Sequence, residues 1–231
     1  MKVVILAVSK KLSGYCVAGK EIRDDGSVGP WVRPITRHRE HGVVWLNDMK
    51  YPDGSLPQLL DIAEIPLEEG VGAGPVYQTE NRWCPSQPRW IRLDKIDPTD
   101  VMKIASIEDR PANLWLTPSN LRSDRIPFEY ASTKLKSSLL FVRAENLNVS
   151  KETDFGGQND ALRVSFGYGG GRYCLKWTVK SRLKAEAIRM FGATDQITSH
   201  PHTWVCISLG EPFGGQVYRL AAAVIGPGFP V

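Results

Sequence analysis

The sequence predicts an all-β protein in two halves with a few short helices, on three observations. Short apolar runs rich in Val, Ile, Leu, Tyr and Trp recur along the chain, bounded by Gly, Pro, Asn or Asp as short antiparallel strands are. Helical periodicity is rare. A stretch mixing Pro, Ser, Asn and charged residues, Asp109 to Ser137, separates two bodies of roughly a hundred residues, a size that suits small β-barrels.

In chain order, strands are predicted over Val3–Val8, Tyr15–Ile22, Trp31–Ile35, Leu60–Ile65, Trp90–Ile96, Leu139–Glu145, Leu162–Tyr168, Tyr173–Val179, Trp204–Leu209 and Val217–Ile225. The clearest helix is Ser181–Phe191, where Leu183, Ala187, Met190 and Phe191 fall on one face and Gly192 can close the end. A shorter helix is expected after Asp97-Pro98, with Val101, Ile104 and Ala105 as its stripe. Tyr15-Cys16-Val17 and Tyr173-Cys174-Leu175 echo one another loosely, without an exact repeat.

Composition bounds the function classes. The chain has 231 residues, 42% hydrophobic and 23% charged, as soluble globular proteins do. No apolar run approaches the roughly 20 residues that span a bilayer, so a cytoplasmic protein with no membrane partner is expected. Cys16, Cys84, Cys174 and Cys206 are scattered without CxxC spacing and read as reduced thiols.

Charge is unevenly distributed. Arg163 to Arg189 holds seven Lys/Arg against Glu186 alone, while residues 51–81 hold six acids and no Lys or Arg, within a net charge of +4. Such polarity orients a protein on a polyanion even at modest net charge.

Inside the basic stretch, RVSFGYGGGRYCLKWTV reads as two strands around a glycine turn. Val164, Phe166 and Tyr168 share one face of the first strand, and Tyr173, Leu175, Trp177 and Val179 one face of the second. Pairing Tyr168 with Tyr173, Phe166 with Leu175 and Val164 with Trp177 brings those sets together and leaves Gly170-Gly171 as the turn. The opposite face carries Arg163, Ser165, Arg172, Cys174, Lys176 and Thr178. Its cations suit phosphates; the aromatic face reads as core.

Three islands carry a family resemblance: Ser9-Lys10-Lys11 through Gly14 to Gly19, then Gly29-Pro30-Trp31-Val32-Arg33-Pro34-Ile35, and Trp204 to Phe213 leading to Tyr218-Arg219-Leu220-Ala221-Ala222. With Asp61 to Leu67 between them, they resemble the nucleic-acid-modification protein family with a dual OB domain. That resemblance implies two OB-like barrels and a role connected with DNA or RNA; with the connecting stretch taken as 109–137, the barrels are expected at residues 1–108 and 138–231. It brings no catalytic residue list.

The candidate chemistry follows from residue types. Cys16 is the best nucleophile, near Ser9, Lys10 and Lys11, with His202 as a possible acid or base; the bland alternative is a structural thiol. Trp31 and Arg33 share a strand face, where an indole stacks on a base and a guanidinium pairs with phosphate; alternatively Trp31 caps a barrel and Arg33 pairs with Asp24 or Asp25. Arg37, His38 and Arg39 extend that cationic rim.

No metal or cofactor is expected. His38/His41 and His200/His202 lack a Cys or carboxylate at a familiar ligand spacing. Gly169-Gly170-Gly171 lacks the Gly-Lys-Ser/Thr ending of a phosphate loop, and Asp24-Asp25-Gly26 reads as a hairpin turn.

Three functions fit. The first is a nucleic-acid-binding component of a modification or defence pathway, with Trp31, Arg33, Arg163, Arg172 and Lys176 as contacts. The others are an enzyme acting on a base or nucleotide through Cys16, and an adaptor that binds a protein through a sheet edge or the acidic 51–81 face.

Overall fold

The computed structural model describes residues 1–11, 14–37, 42–116, 124–153, 160–178 and 202–229. The chain divides into two compact units, one made of Met1–Ile107 with Lys136–Ser138 and the other of Glu108–Leu135 with Leu139–Pro230. The segment expected to be a separate connection is thus shared between them.

The first unit contains β1 (Lys2–Lys11), β2 (Gly14–Ile22), β3 (Val28–Ile35), α1 (Leu46–Met49), β4 (Asp61–Glu64), β5 (Asn81–Trp83), β6 (Ile91–Lys95) and α2 (Val101–Ile107). Its strand order is β5-β3-β2-β1-β4-β6. β1 is the central strand, paired with β2 along most of its length and with β4 through Lys2, Val3 and Val4. Every side chain from Val3 to Val8 is buried, so both faces of β1 are covered, which explains an unbroken apolar run where a half-exposed strand would alternate.

β3 and β5 are parallel, and β6 lies antiparallel to β4. β5 and β6 therefore run in one direction at opposite ends of the strand order, as two halves of a single interrupted fifth strand. Pro85 and Pro88, which lack a ladder N–H, lie in the interruption.

The second unit contains β7 (Arg125–Pro127), α3 (Phe128–Lys134), β8 (Leu139–Arg143), β9 (Glu145–Thr153), β10 (Asp160–Tyr168), β11 (Gly171–Trp177), β12 (Trp204–Leu209) and β13 (Gln216–Ile225). Its order is β8-β12-β13-β11-β10-β9, with β7 on β13. Only Ala144 separates β8 from β9, whose backbones run the same way, so they form one long bent strand that serves both ends of the order. β11 and β13 are parallel, as β3 and β5 are in the first unit.

Each unit thus has a long first strand, a meander to the third, a parallel pairing of third with fifth, and the fourth beside the first. This is the five-stranded Greek-key arrangement of an OB-fold. The Tyr-Cys echo is not a repeat, because Cys16 sits on the second strand of its unit and Cys174 on the third.

Every strand expected from the sequence is present, with ends shifted by up to three residues, and so is the helix after Asp97-Pro98, as α2. The helix expected over 181–191 lies outside the described residues. β5, β7 and β9 and the helices α1 and α3 are additions.

The β10–β11 hairpin has the expected side-chain parity and a different register. Val164 pairs with Leu175, Phe166 with Tyr173 and Tyr168 with Gly171, two residues displaced from the expected pairing. The turn is Gly169-Gly170, with φ of 55° and 76°. Parity alone allows either register. Tyr168 helps select this one, because its hydroxyl donates to Pro111 O at 2.7 Å while Gly169 packs on Ala112.

The aromatic face is core, as expected. Phe166 and Tyr173 stack at 5.8 Å between ring centroids, Trp177 meets Phe229 edge-on at 6.2 Å, and all join Leu147, Val149, Val164 and Leu175 in one buried cluster. Arg219 is buried as well, and donates from Nε to Leu114 O at 3.0 Å and from Nη2 to Leu116 O at 2.8 Å.

A Cβ at residue 169 would meet Ala112 O at 2.6 Å, whereas one at 170 would meet nothing within 4 Å. Gly169→Ala is therefore expected to cost more stability than Gly170→Ala. The latter loses only the left-handed preference, about 1 kcal/mol. Urea unfolding of the two variants compares them.

Candidate nucleic-acid interface

The outward face of β9, β10 and β11 is a polar sheet surface whose rows follow from register. Ser150, Arg163 and Lys176 form one row, Asn148, Ser165 and Cys174 a second, and Glu145, Gly167 and Arg172 a third. Val149, Val164 and Leu175 alternate with these residues and point into the core, which fixes the rows on the solvent side.

Arg172 is exposed and Lys176 half-buried. Arg163 keeps 24% of its side chain accessible and lies 3.5 Å from Asp124. Asp124 is in turn tied to the core, its carbonyl accepting from the Arg219 backbone N–H at 2.7 Å. A partly exposed ion pair of this kind contributes little to stability but holds the guanidinium in place. The surface therefore has one exposed cation, Arg172, in a row with the exposed Glu145 carboxylate, one cation positioned by Asp124, and a half-buried lysine directly opposite that cation.

The corresponding strands of the first unit carry Trp31 and Arg33, which share a face as expected, but that face is covered. Trp31 pairs with Lys20, whose ammonium lies 5.4 Å from the indole centroid and donates to Ile107 O at 2.6 Å. Arg33 is buried, 3.1 Å from the Glu80 carboxylate, with further hydrogen bonds to Ser138 Oγ at 2.8 Å and Asn81 Oδ1 at 3.3 Å. Ser138 Oγ also donates to Glu80. The assignment of Trp31 and Arg33 as ligand contacts is accordingly corrected: one indole is under a lysine, one guanidinium is neutralised inside. The partner of Arg33 is Glu80 in place of Asp24 or Asp25.

Arg37 is exposed but engaged, 2.5 Å from Glu68 and 4.5 Å above the Trp83 ring. Arg39, His38, His41 and His200 lie outside the described residues. No cluster of three His, Cys, Asp or Glu side chains able to hold a metal occurs among the described residues. No described helix is long and apolar enough to cross a membrane.

Cys16 is half-buried on β2, directly opposite Ser9 on β1, so those two share a face. Lys10 pairs with Tyr15 and projects from the other face. His202 belongs to the second unit, where its Nδ1 is 3.3 Å from Arg143 Nη2. Cys206 is fully buried in β12. Cys84 is buried beside the Trp90 indole N–H, 3.4 Å away, and burial pushes its thiol up to about 11 despite that hydrogen bond.

Among the described residues, the most exposed aromatic escaped the sequence reading. Phe213, in the turn between β12 and β13, is 76% exposed. Its neighbours Pro212, Gly214 and Gly215 mark a turn in the sequence, but no periodic pattern distinguishes an exposed turn aromatic from a buried one.

Residues 1–224 match the family described as the dual OB-containing domain, in accord with the repeated strand order. No curated protein matches the chain.

Two outcomes follow from these placements. Arg33→Ala leaves the Glu80 carboxylate buried without its cation and is expected to cost about 3 kcal/mol or more in urea unfolding. Native protein treated with a maleimide is expected to label at Cys16 and Cys174, with Cys84 and Cys206 labelling only in denaturant, as mass spectrometry of the peptides would report.

Proposed function

We propose that this chain, which belongs to the dual OB-containing domain family, holds a nucleic-acid strand on the outward face of β9, β10 and β11. In a modification or defence pathway it would supply recognition and need no cofactor. The observation that carries this reading is the row structure of that face: Arg172 and Lys176 stand on one strand beside Arg163, and Ser150, Asn148, Ser165 and one carboxylate, Glu145, complete the rows.

OB-folds use the face of strands 2 and 3 to bind oligonucleotides, and β10 and β11 are strands 2 and 3 of their unit. Phosphate contacts from Lys and Arg release condensed counterions, so they supply affinity with little dependence on sequence. Ser150, Ser165 and Asn148 add hydrogen-bonding groups within the same rows. Arg163, 3.5 Å from the Asp124 carboxylate, must share its guanidinium to meet a phosphate and so adds less charge than Arg172 or Lys176.

The test is a salt series with single-stranded and duplex DNA and RNA. If Arg172 and Lys176 each neutralise one phosphate, Arg172→Ala with Lys176→Ala reduces the magnitude of the log–log salt slope by about 1.4 on single strands. It also weakens binding about equally for different sequences. An unchanged slope and unchanged affinity at low salt would remove both residues from the interface.

A further inference from the structure

The turn between β12 and β13 is built around two glycines in the left-handed region, Gly214 at φ 58° and Gly215 at φ 72°. Phe213 and Gln216 close it with reciprocal backbone hydrogen bonds, Phe213 N–H to Gln216 O at 2.8 Å and Gln216 N–H to Phe213 O at 3.1 Å. The backbone of Phe213 is thus fixed while its ring is 76% exposed. A large apolar ring is thus held outward on a turn closed by two backbone hydrogen bonds.

The surroundings of this ring are specific. β7 pairs antiparallel with the start of β13, placing Pro127 opposite Gln216 and Arg125 opposite Tyr218. The Arg125 guanidinium lies 5.5 Å from the Tyr218 ring centroid and its Nε 3.8 Å from the Asp124 carboxylate, while its side chain stays 63% exposed. Two residues of strand, about 7 Å, separate the Tyr218 pair from the Gln216 pair that closes the turn. The α3 terminus adds a second ring, because the Phe128 N–H donates to Gly215 O at 3.0 Å and that side chain is 40% exposed. Phe213 pairs with Gln216 across the edge of β13 away from β7, so the outward ring and the Arg125 guanidinium stand on one face, from backbones roughly 12 Å apart.

We propose that Phe213 is a stacking platform for an unpaired nucleobase, with Arg125 meeting the adjacent phosphate, which makes the ligand a single strand. The inference rests on the nucleic-acid reading above and adds a site that β9, β10 and β11 do not contain. The physical reason for a single strand is access: a base inside a duplex is already stacked on both faces and offers none to a protruding ring, whereas every unpaired base has a free π-face. A guanidinium on the same face, within reach of a neighbouring phosphate, favours a polyanion over an apolar protein segment.

The experiment measures binding of a fluorescein-labelled oligothymidylate, the matching oligouridylate and a duplex of equal length, by anisotropy across a salt series. Phe213→Ala is expected to weaken single-strand binding about tenfold, with the salt slope unchanged and duplex binding unaffected. Phe213→Trp retains or strengthens it. Arg125→Ala reduces the slope by about one phosphate's worth, 0.7. Melting of Phe213→Ala at the wild-type temperature checks that the turn survives.

Single-strand affinity unchanged by Phe213→Ala, or lost equally for strand and duplex, would overturn the stacking site while leaving the β9–β11 interface standing. A wild-type protein that binds none of the three probes overturns both.

Discussion

Side-chain parity on β10 and β11 is the constraint from which the account of the second unit derives. Neighbours on a strand face opposite sides, so burying Val164, Phe166, Tyr173, Leu175 and Trp177 sends Arg163, Ser165, Arg172, Cys174 and Lys176 outward. Each buried large apolar side chain contributes about 1.5–3 kcal/mol, far more than the polar face could lose by being arranged one way or another. The core therefore dictates the surface, and the cations are held in rows because the hydrophobic face has only one way to be buried.

The same economy of strands shapes both units. A sheet path of this order would leave two strand edges unlike one another at its ends, and each unit avoids that by breaking one strand across both. In the first unit the break falls between β5 and β6, at a stretch holding two prolines; in the second it falls at Ala144, between β8 and β9. Pairing third with fifth strand in parallel, β3 with β5 and β11 with β13, is common to both. The units differ in what covers the face of strands two and three. In the first, Lys20 and the Arg33–Glu80–Ser138 group close it; in the second the equivalent face carries polar side chains that remain partly or fully exposed.

Much of this was legible in the sequence, where the physics is local. Alternation and breaker residues located the strands, and Gly-Gly located the hairpin and its two faces. Register was less legible, because a shift of two residues preserves parity, and the choice rests on Tyr168 reaching Pro111 far along the chain. β5, β7 and β9 went unread for related reasons: two are three residues long, and β9 alternates Asn, Ser and Lys with Leu and Val too weakly to stand out. At Trp31 and Arg33 the shared face was legible and its cover was not, since Glu80 and Ser138 come from distant segments. Phe213 shows the converse, a residue whose type suggests core and whose glycine turn holds it out.

Cys174 gives the most direct measurement, because it stands between Arg172 and Lys176 on the proposed face while Cys16 serves as an internal reference in the other unit. The rate of maleimide labelling at each, followed by mass spectrometry with and without saturating oligonucleotide, reads occupancy of that face. The account predicts that Cys174 is strongly protected and Cys16 labels as before. Labelling of Cys174 at an undiminished rate in the saturated complex would contradict it.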